Sequence, residues 1–164
     1  MCEYCGCRDN PEIGKLGAEH DAIVELADQV LGELDAGTET IAGAVQRLRG
    51  LLIPHVQGEE AGIFRVAEEM GLGNQYVYDL EDDHRRFDNG LTADEALDAS
   101  ALEEMLNKIY RHIAVEEYDL FPEVSQMLGM GWQVTRPDPI SDRGPLGDGE
   151  DLDDALGVES LLLK

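Results

Sequence analysis

The sequence predicts an all-α protein: an antiparallel up-down-up-down four-helix bundle with a short Cys-rich leader before it and an acidic tail after it. Three observations carry that prediction. Apolar residues recur at intervals of three and four over four separate stretches, the period of one face of an α-helix. No stretch shows the strict alternation of a half-buried strand. The connections between the four stretches are short, which favours antiparallel neighbours. A chain of 164 residues has room for one such domain with a single sizeable core.

The boundaries follow from composition. Residues 1–10 form the leader, with Cys2, Cys5 and Cys7; residues 11–130 the bundle; residues 131–164 the tail. The first helix opens at Pro11, a residue suited to a first helical turn. Its stripe is His20, Ile23, Ala27, Val30 or Leu31, and Leu34, and Gly37 ends it by the usual glycine stop. Thr38 is the expected cap of the second helix. The stripe there runs Ile41, Val45, Leu48, Leu52, His55, Glu59, Ile63, Val66 and Met70, until Gly71 and Gly73 break it. Pro54 lies inside this run and removes a helical donor, so a kink or irregularity is expected just before His55. Gly50 and Gly58 weaken the same helix, which implies that packing or a metal holds it.

The third helix reads Val77, Leu80, His84, Phe87 and Leu91, with an ill-defined end near Asp88 to Gly90 and a continuing turn from Leu91 to Ala99. Ser100 and Glu103 form a capping box for the fourth. Leu102, Met105, Ile109, His112, Glu116 and Leu120 make its stripe, followed by Val124 and Leu128 beyond a bend at Pro122. From Arg136 through Asp154 the chain holds three prolines, three glycines and seven acids against two arginines, the composition of a surface or solvated tail. Leu152 to Leu163 has enough leucine to dock as a short helix.

The net charge of -24 opposes binding to nucleic acid and to anionic membranes, whose charges would repel it. No run approaches the 18 apolar residues of a membrane span, and the first residues lack the pattern of a signal peptide. A cytoplasmic location is expected, with the three cysteines mostly reduced.

The chemistry lies in a repeated phrase. His55 is followed four residues later by Glu59, and His112 by Glu116; each phrase continues with a second glutamate, Glu60 or Glu117, and then an aromatic segment. Residues four apart share a helix face about 6 Å apart along the axis. Each phrase therefore aims an imidazole and a carboxylate at one point. His20 and His84, one on each remaining helix, fall in phase with their own stripes. A lone histidine on such a stripe is commonly a hydrogen-bonded core residue, but four of them joined by two in-phase glutamates would bury carboxylates at a cost that only pairing or a metal offsets. Structural zinc takes four closed ligands, often thiolates. Mixed nitrogen and oxygen ligation that cannot fill two octahedra suits a pair of iron or manganese ions with open positions, and bundle cores of glutamate and histidine on facing helices are how di-iron carboxylate sites are made.

The order His20, His55 with Glu59, His84, His112 with Glu116, the Glu-Glu doublets and the Leu120-Phe121-Pro122 that follows resemble the haemerythrin family of cation-binding bundles over about residues 11–130. The resemblance implies a left-handed four-helix bundle with a non-haem di-iron centre: two iron ions (Fe2+/Fe3+) bridged by oxo or hydroxo. It makes Glu59 and Glu116 the bridging carboxylates and His20, His55, His84 and His112 the terminal ligands. The chain departs from the family's oxygen carriers, which use five histidines and end on an aspartate five residues after its histidine. One iron is then an imidazole short. Asp88, Glu81, Tyr76, Tyr78 or Tyr118 are candidate substitutes, and an exchangeable water is the simpler one.

Glu60 and Glu117 point about 100° round from the ligand face, toward positions behind the ligands or in solvent. Phe64, Phe87 and Phe121 are candidates to wall the site. The three leader thiols suit a metal, a transient disulfide or a bridge to another chain, whether self-association or a protein partner; the alternative is a leader with no role. Open coordination favours binding oxygen, peroxide or nitric oxide, with weak catalase- or peroxidase-like turnover. The competing expectation is an iron, redox or gas sensing module without turnover, in which metal binding is coupled to bundle stability. Iron storage ranks third, because a lone bundle encloses no mineral cavity.

Overall fold

The computed structural model describes residues 6–72, 75–92 and 97–129, with Gln75, Tyr76 and Thr92 by backbone alone. Among them the chain forms four helices and no strand. Helix α1 is Pro11–Asp35; α2, Ile41–Glu59, runs through a π-helical turn, Glu60–Phe64, into α3, Arg65–Glu69. The third bundle helix is α4, Gln75–Thr92. The fourth is α5, Ala99–Val115, joined by a second π-helical turn, Glu116–Leu120, to α6, Phe121–Leu128. Helix α1 packs on α2, α2 on α4, α4 on α5 and α5 back on α1, which closes a four-helix ring.

The ends of the helices explain their lengths. Asn10 caps α1 by accepting from the backbone N–H of Glu12 and Ile13, and Gly37, at φ 68°, takes the left-handed conformation that ends it. The expected cap Thr38 is already occupied: its N–H and hydroxyl both donate to the Glu33 carbonyl, finishing α1. Thr40 caps α2 instead, accepting from Gly43 N–H at 3.1 Å. Likewise Asp98, not Ser100, caps α5, accepting from Ala101 N–H at 2.8 Å. An acid two residues upstream satisfies the same orphan donors, so the capping box is not used.

Helix α2 stays helical through Pro54, and the irregularity expected before His55 falls after it, in the π turn that begins at Glu60. Helix α4 continues past Asp88 to Thr92 rather than fraying there. Cys2, Cys5, Tyr76's side chain, Gly73 and Asn74, and the whole tail 131–164 lie outside the described residues.

The apolar core comes in two clusters. One gathers Ile13, Leu16, Phe64, Leu80, Phe121 and Val124 with their neighbours toward the leader. The other gathers Ile23, Leu48, Leu52, Phe87, Leu106 and Ile109 with theirs. Between them every helix contributes a buried polar residue at the same level.

Candidate metal centre

That polar layer consists of His20 from α1, His55 and Glu59 from α2, His84 from α4, His112 from α5 and Glu116 at the start of the second π turn, all buried. These are the six residues singled out from the sequence, and the fold brings them together. Each helix keeps its histidine in phase with flanking apolar residues, such as Leu80 and Phe87 around His84, so burying the stripe carries the imidazole inward.

The six form two groups of four that share both carboxylates. His20, His55, Glu59 and Glu116 offer ligand atoms within 4.8 Å of one another, and so do Glu59, His84, His112 and Glu116. Glu59 Oε1 lies 3.2 Å from both His20 Nε2 and His55 Nε2, and Oε2 3.4 Å from His84 Nε2. Glu116 lies 3.2 Å from His20 Nε2 and 3.3 Å from His112 Nε2. The Nε2 atoms of His84 and His112 face each other at 3.0 Å. Close as these atoms are, His55 Nε2, Glu59 Oε2 and both oxygens of Glu116 have no hydrogen-bond partner. Buried polar atoms without partners are costly. Lone pairs converging from two helices each onto a shared pair of carboxylates are what a pair of cations satisfies, so the donor set fits the metal pair that the sequence suggests.

Each imidazole presents Nε2 inward because Nδ1 is directed at a carboxylate outside the cage. His20 Nδ1 lies 3.0 Å from Glu117, His55 Nδ1 2.9 Å from Glu19, and His84 Nδ1 3.0 Å from Glu60. His112 Nδ1 stands 3.7 Å from Asp83, an ion-pair distance rather than a hydrogen bond. Such partners fix the tautomer and the ring plane of a ligating histidine. The arrangement is cyclic. Glu19, beside His20 on α1, serves His55 on α2; Glu60, beside Glu59, serves His84 on α4; Asp83, beside His84, serves His112 on α5; Glu117, beside Glu116, returns to His20 on α1.

The spacing predicts positions behind the ligands or in solvent for Glu60 and Glu117, and both stand behind a ligand; Glu19 and Asp83, which the spacing does not single out, do so as well. The available signal was an acid adjacent in sequence to an inward-facing ligand on every helix. Because each acid serves the next helix rather than its own, spacing along one helix does not reveal its partner.

The electrostatics are those of a dense carboxylate cage. Burial alone would lower the imidazole pKa values, but the surrounding carboxylates outweigh it. Glu116, Glu117 and Glu59 push His20 up to about 12, Glu59 and Glu19 push His55 up to about 9, and Glu116 and Asp83 push His112 up to about 10. His84 is raised for the same reason by Glu59 and Glu60. Burial would raise Glu59, yet His55, His20 and His84 hold it well below the usual carboxylate range. Glu116 is also lowered: burial and the charge of Glu59 oppose this, and His112 and His20 overcome them.

Aromatic rings close the layer. Phe121 stacks on His20 at 5.4 Å, Phe64 on His84 at 5.1 Å, and Phe87 meets His112 edge-on at 5.2 Å. The π turns place two of them. Five residues beyond Glu59 or Glu116, an α-helix would point about 140° away; a turn closed by i→i+5 bonds brings Phe64 and Phe121 back toward the ligand face. Of the proposed substitutes for a fifth histidine, Tyr78 and Tyr118 are exposed, and neither Glu81 nor Asp88 joins the converging groups.

A closed bundle whose four helices each give a histidine to one buried layer, with two shared glutamates, defines a cation-binding helical protein. The model of the hemerythrin HHE cation binding domain matches residues 12–124, and the chain belongs to that family. No curated protein and no solved structure matches it significantly. Among the described residues no helix is long and apolar enough to cross a membrane.

Proposed function

We propose that the chain is a non-haem di-iron protein that binds oxygen, peroxide or nitric oxide, with weak catalase- or peroxidase-like turnover. His20 and His55 would hold one iron, His84 and His112 the other, and Glu59 and Glu116 would bridge them. The observation that carries this reading is the set of partnerless buried atoms on two four-residue groups that share both carboxylates. Mixed imidazole and carboxylate donors suit iron over structural zinc, and four protein atoms per ion leave octahedral positions open for an exogenous ligand. When bound, the iron pair supplies one- and two-electron chemistry toward such ligands. The chain's own contribution is to hold and to exclude. Glu19, Glu60 and Glu117 keep the ring protons of His55, His84 and His20 on Nδ1, Asp83 stands at ion-pair distance from His112 Nδ1, and Phe64, Phe87 and Phe121 keep bulk water from the ligand face. Among the described residues no further side chain stands in the cage as a general base.

Elemental analysis after anaerobic iron loading, with an absorption spectrum before and after peroxide, tests the proposal. About two irons per chain and a near-ultraviolet band are expected, with the band lost and one iron given up in His112→Ala; fewer than about one iron per wild-type chain would sink it. A sensing module without turnover is favoured by one observation, the contact between the leader and His20's carboxylate partner. Retained iron with no steady peroxide consumption would select that reading.

A further inference from the structure

The leader is not an appendage. After Gly6, at φ 68°, Cys7–Asp9 forms a single 3-10 turn. Cys7 is fully buried in the apolar cluster with Ile13, Leu16 and Phe121, and its sulfur lies in a disulfide, where a reduced thiol was expected. Buried there, the sulfur is shielded from thiols in solvent. This anchoring lays Arg8 along α1, and α1 is shaped to receive it. A Cβ on Gly14 would stand 2.5 Å from the Arg8 carbonyl oxygen, and one on Gly17 2.6 Å from Arg8 Nε. Two glycines three apart thus form a notch on one helix face that no larger residue leaves open.

In that notch the guanidinium forks. Arg8 Nη2 and Nε donate to the two oxygens of Glu117 at 2.6 and 3.3 Å, while Nη1 and Nη2 donate to Asp21 at 3.0 and 3.3 Å. Glu117 Oε1 also faces His20 Nδ1 at 3.0 Å, and His20 is fully buried. The other carboxylates behind the histidines retain water: Glu19 is 28 %, Glu60 44 % and Asp83 31 % exposed. Glu117 is 1 % exposed. Its charge cannot be solvated, so a fixed counter-ion must hold it, and a bidentate guanidinium fixes the plane of a carboxylate as well as its charge.

We propose that Arg8 is a positioning residue of the metal centre: through Glu117 it sets the ring of His20, so that the leader belongs to the metal-binding unit and the two metal positions are inequivalent. The proposal rests on the two-metal reading above. By holding both oxygens of Glu117, Arg8 fixes the carboxylate that orients His20, and so fixes the ring that delivers Nε2 to the cage. Loss of such outer partners lowers metal affinity by about 10–100-fold.

Anaerobic titration of the full-length, metal-free chain with cobalt(II), read by its visible bands and by calorimetry, separates the outcomes. Arg8→Ala should weaken one of two binding steps by about 10-fold or more and change the visible bands of that step alone. Arg8→Lys keeps the charge without the fork and should recover only part of the affinity. Glu117→Gln should reproduce the Arg8→Ala loss, and the double variant should show no further loss, because the two act as one unit. Unchanged affinities and bands in Arg8→Ala, or additive losses in the double variant, overturn the inference. If Arg8→Ala does not fold, Arg8→Lys with wild-type bands and both wild-type affinities overturns it equally. Wild-type chain that takes up fewer than two cobalt ions overturns the two-metal reading itself, a result distinct from the failure of Arg8.

Discussion

Glu59 and Glu116 differ from the four histidines in what their removal should do. Each histidine belongs to one four-residue group, whereas each of these carboxylates belongs to both. Glu59→Gln is therefore expected to weaken both metal-binding steps together, while His55→Ala should abolish one and leave the other within about 10-fold. A stepwise metal titration monitored by calorimetry distinguishes these patterns, and a Glu59→Gln variant with one intact step would contradict the shared role. The same scale explains why the histidines could be picked out from sequence and the pairing of each with its carboxylate could not. Inward direction is a property of a residue's own helix, but the Nδ1 partner is always on another.

Among the helices, the caps carry the clearest expectation. Thr40 and Asp98 satisfy the orphan donors at the starts of α2 and α5. Replacing either with alanine should cost about 1 kcal/mol in denaturant unfolding. Ser100→Ala should cost little by comparison; an equal loss there would mean that the cap lies at Ser100. The apolar stripe of α4 is legible in full and that of α1 in its middle, since Val77, Leu80, Phe87 and Leu91, and Ile23, Ala27 and Val30, are all buried as their spacing requires, whereas Leu34 is half-buried and the buried Ile13 and Leu16 precede the stripe. The π turns are not legible. Pro54 and Pro122 announced irregularity, but neither proline fixes where the extra residue is taken up. In the first copy the turn directly follows the phrase His-x-x-x-Glu and in the second it begins on that phrase's glutamate, Glu116; in both it precedes or includes the phenylalanine, Phe64 or Phe121, that packs against His84 or His20.

For the molecule as a whole, the polar layer sits between two apolar clusters and interrupts what would otherwise be one core. Like charges within the layer, Glu59 against Glu116 and His55 against His20, oppose each other. Metal that binds the folded chain alone should stabilise it by about 4 kcal/mol per site at a thousandfold excess over Kd. Thermal unfolding followed by circular dichroism should accordingly show the iron-loaded protein melting well above the chelator-treated one. Coincident melts would mean that the layer is satisfied without metal.

The sequence by itself determined that the chain is helical, that four histidines and two glutamates face inward, and that the family is a cation-binding one. The first two follow from periodicity and local spacing, which operate within a single helix; the family follows from the resemblance carried by the ordered histidines and glutamates and from the matching domain model. Tertiary structure decided the rest: which carboxylate stands behind which histidine, and that Arg8 of the leader reaches Glu117 across 109 positions of chain. Those pairings depend on how helices are set against one another, and each partner's own helical period is the same whether or not the pairing exists.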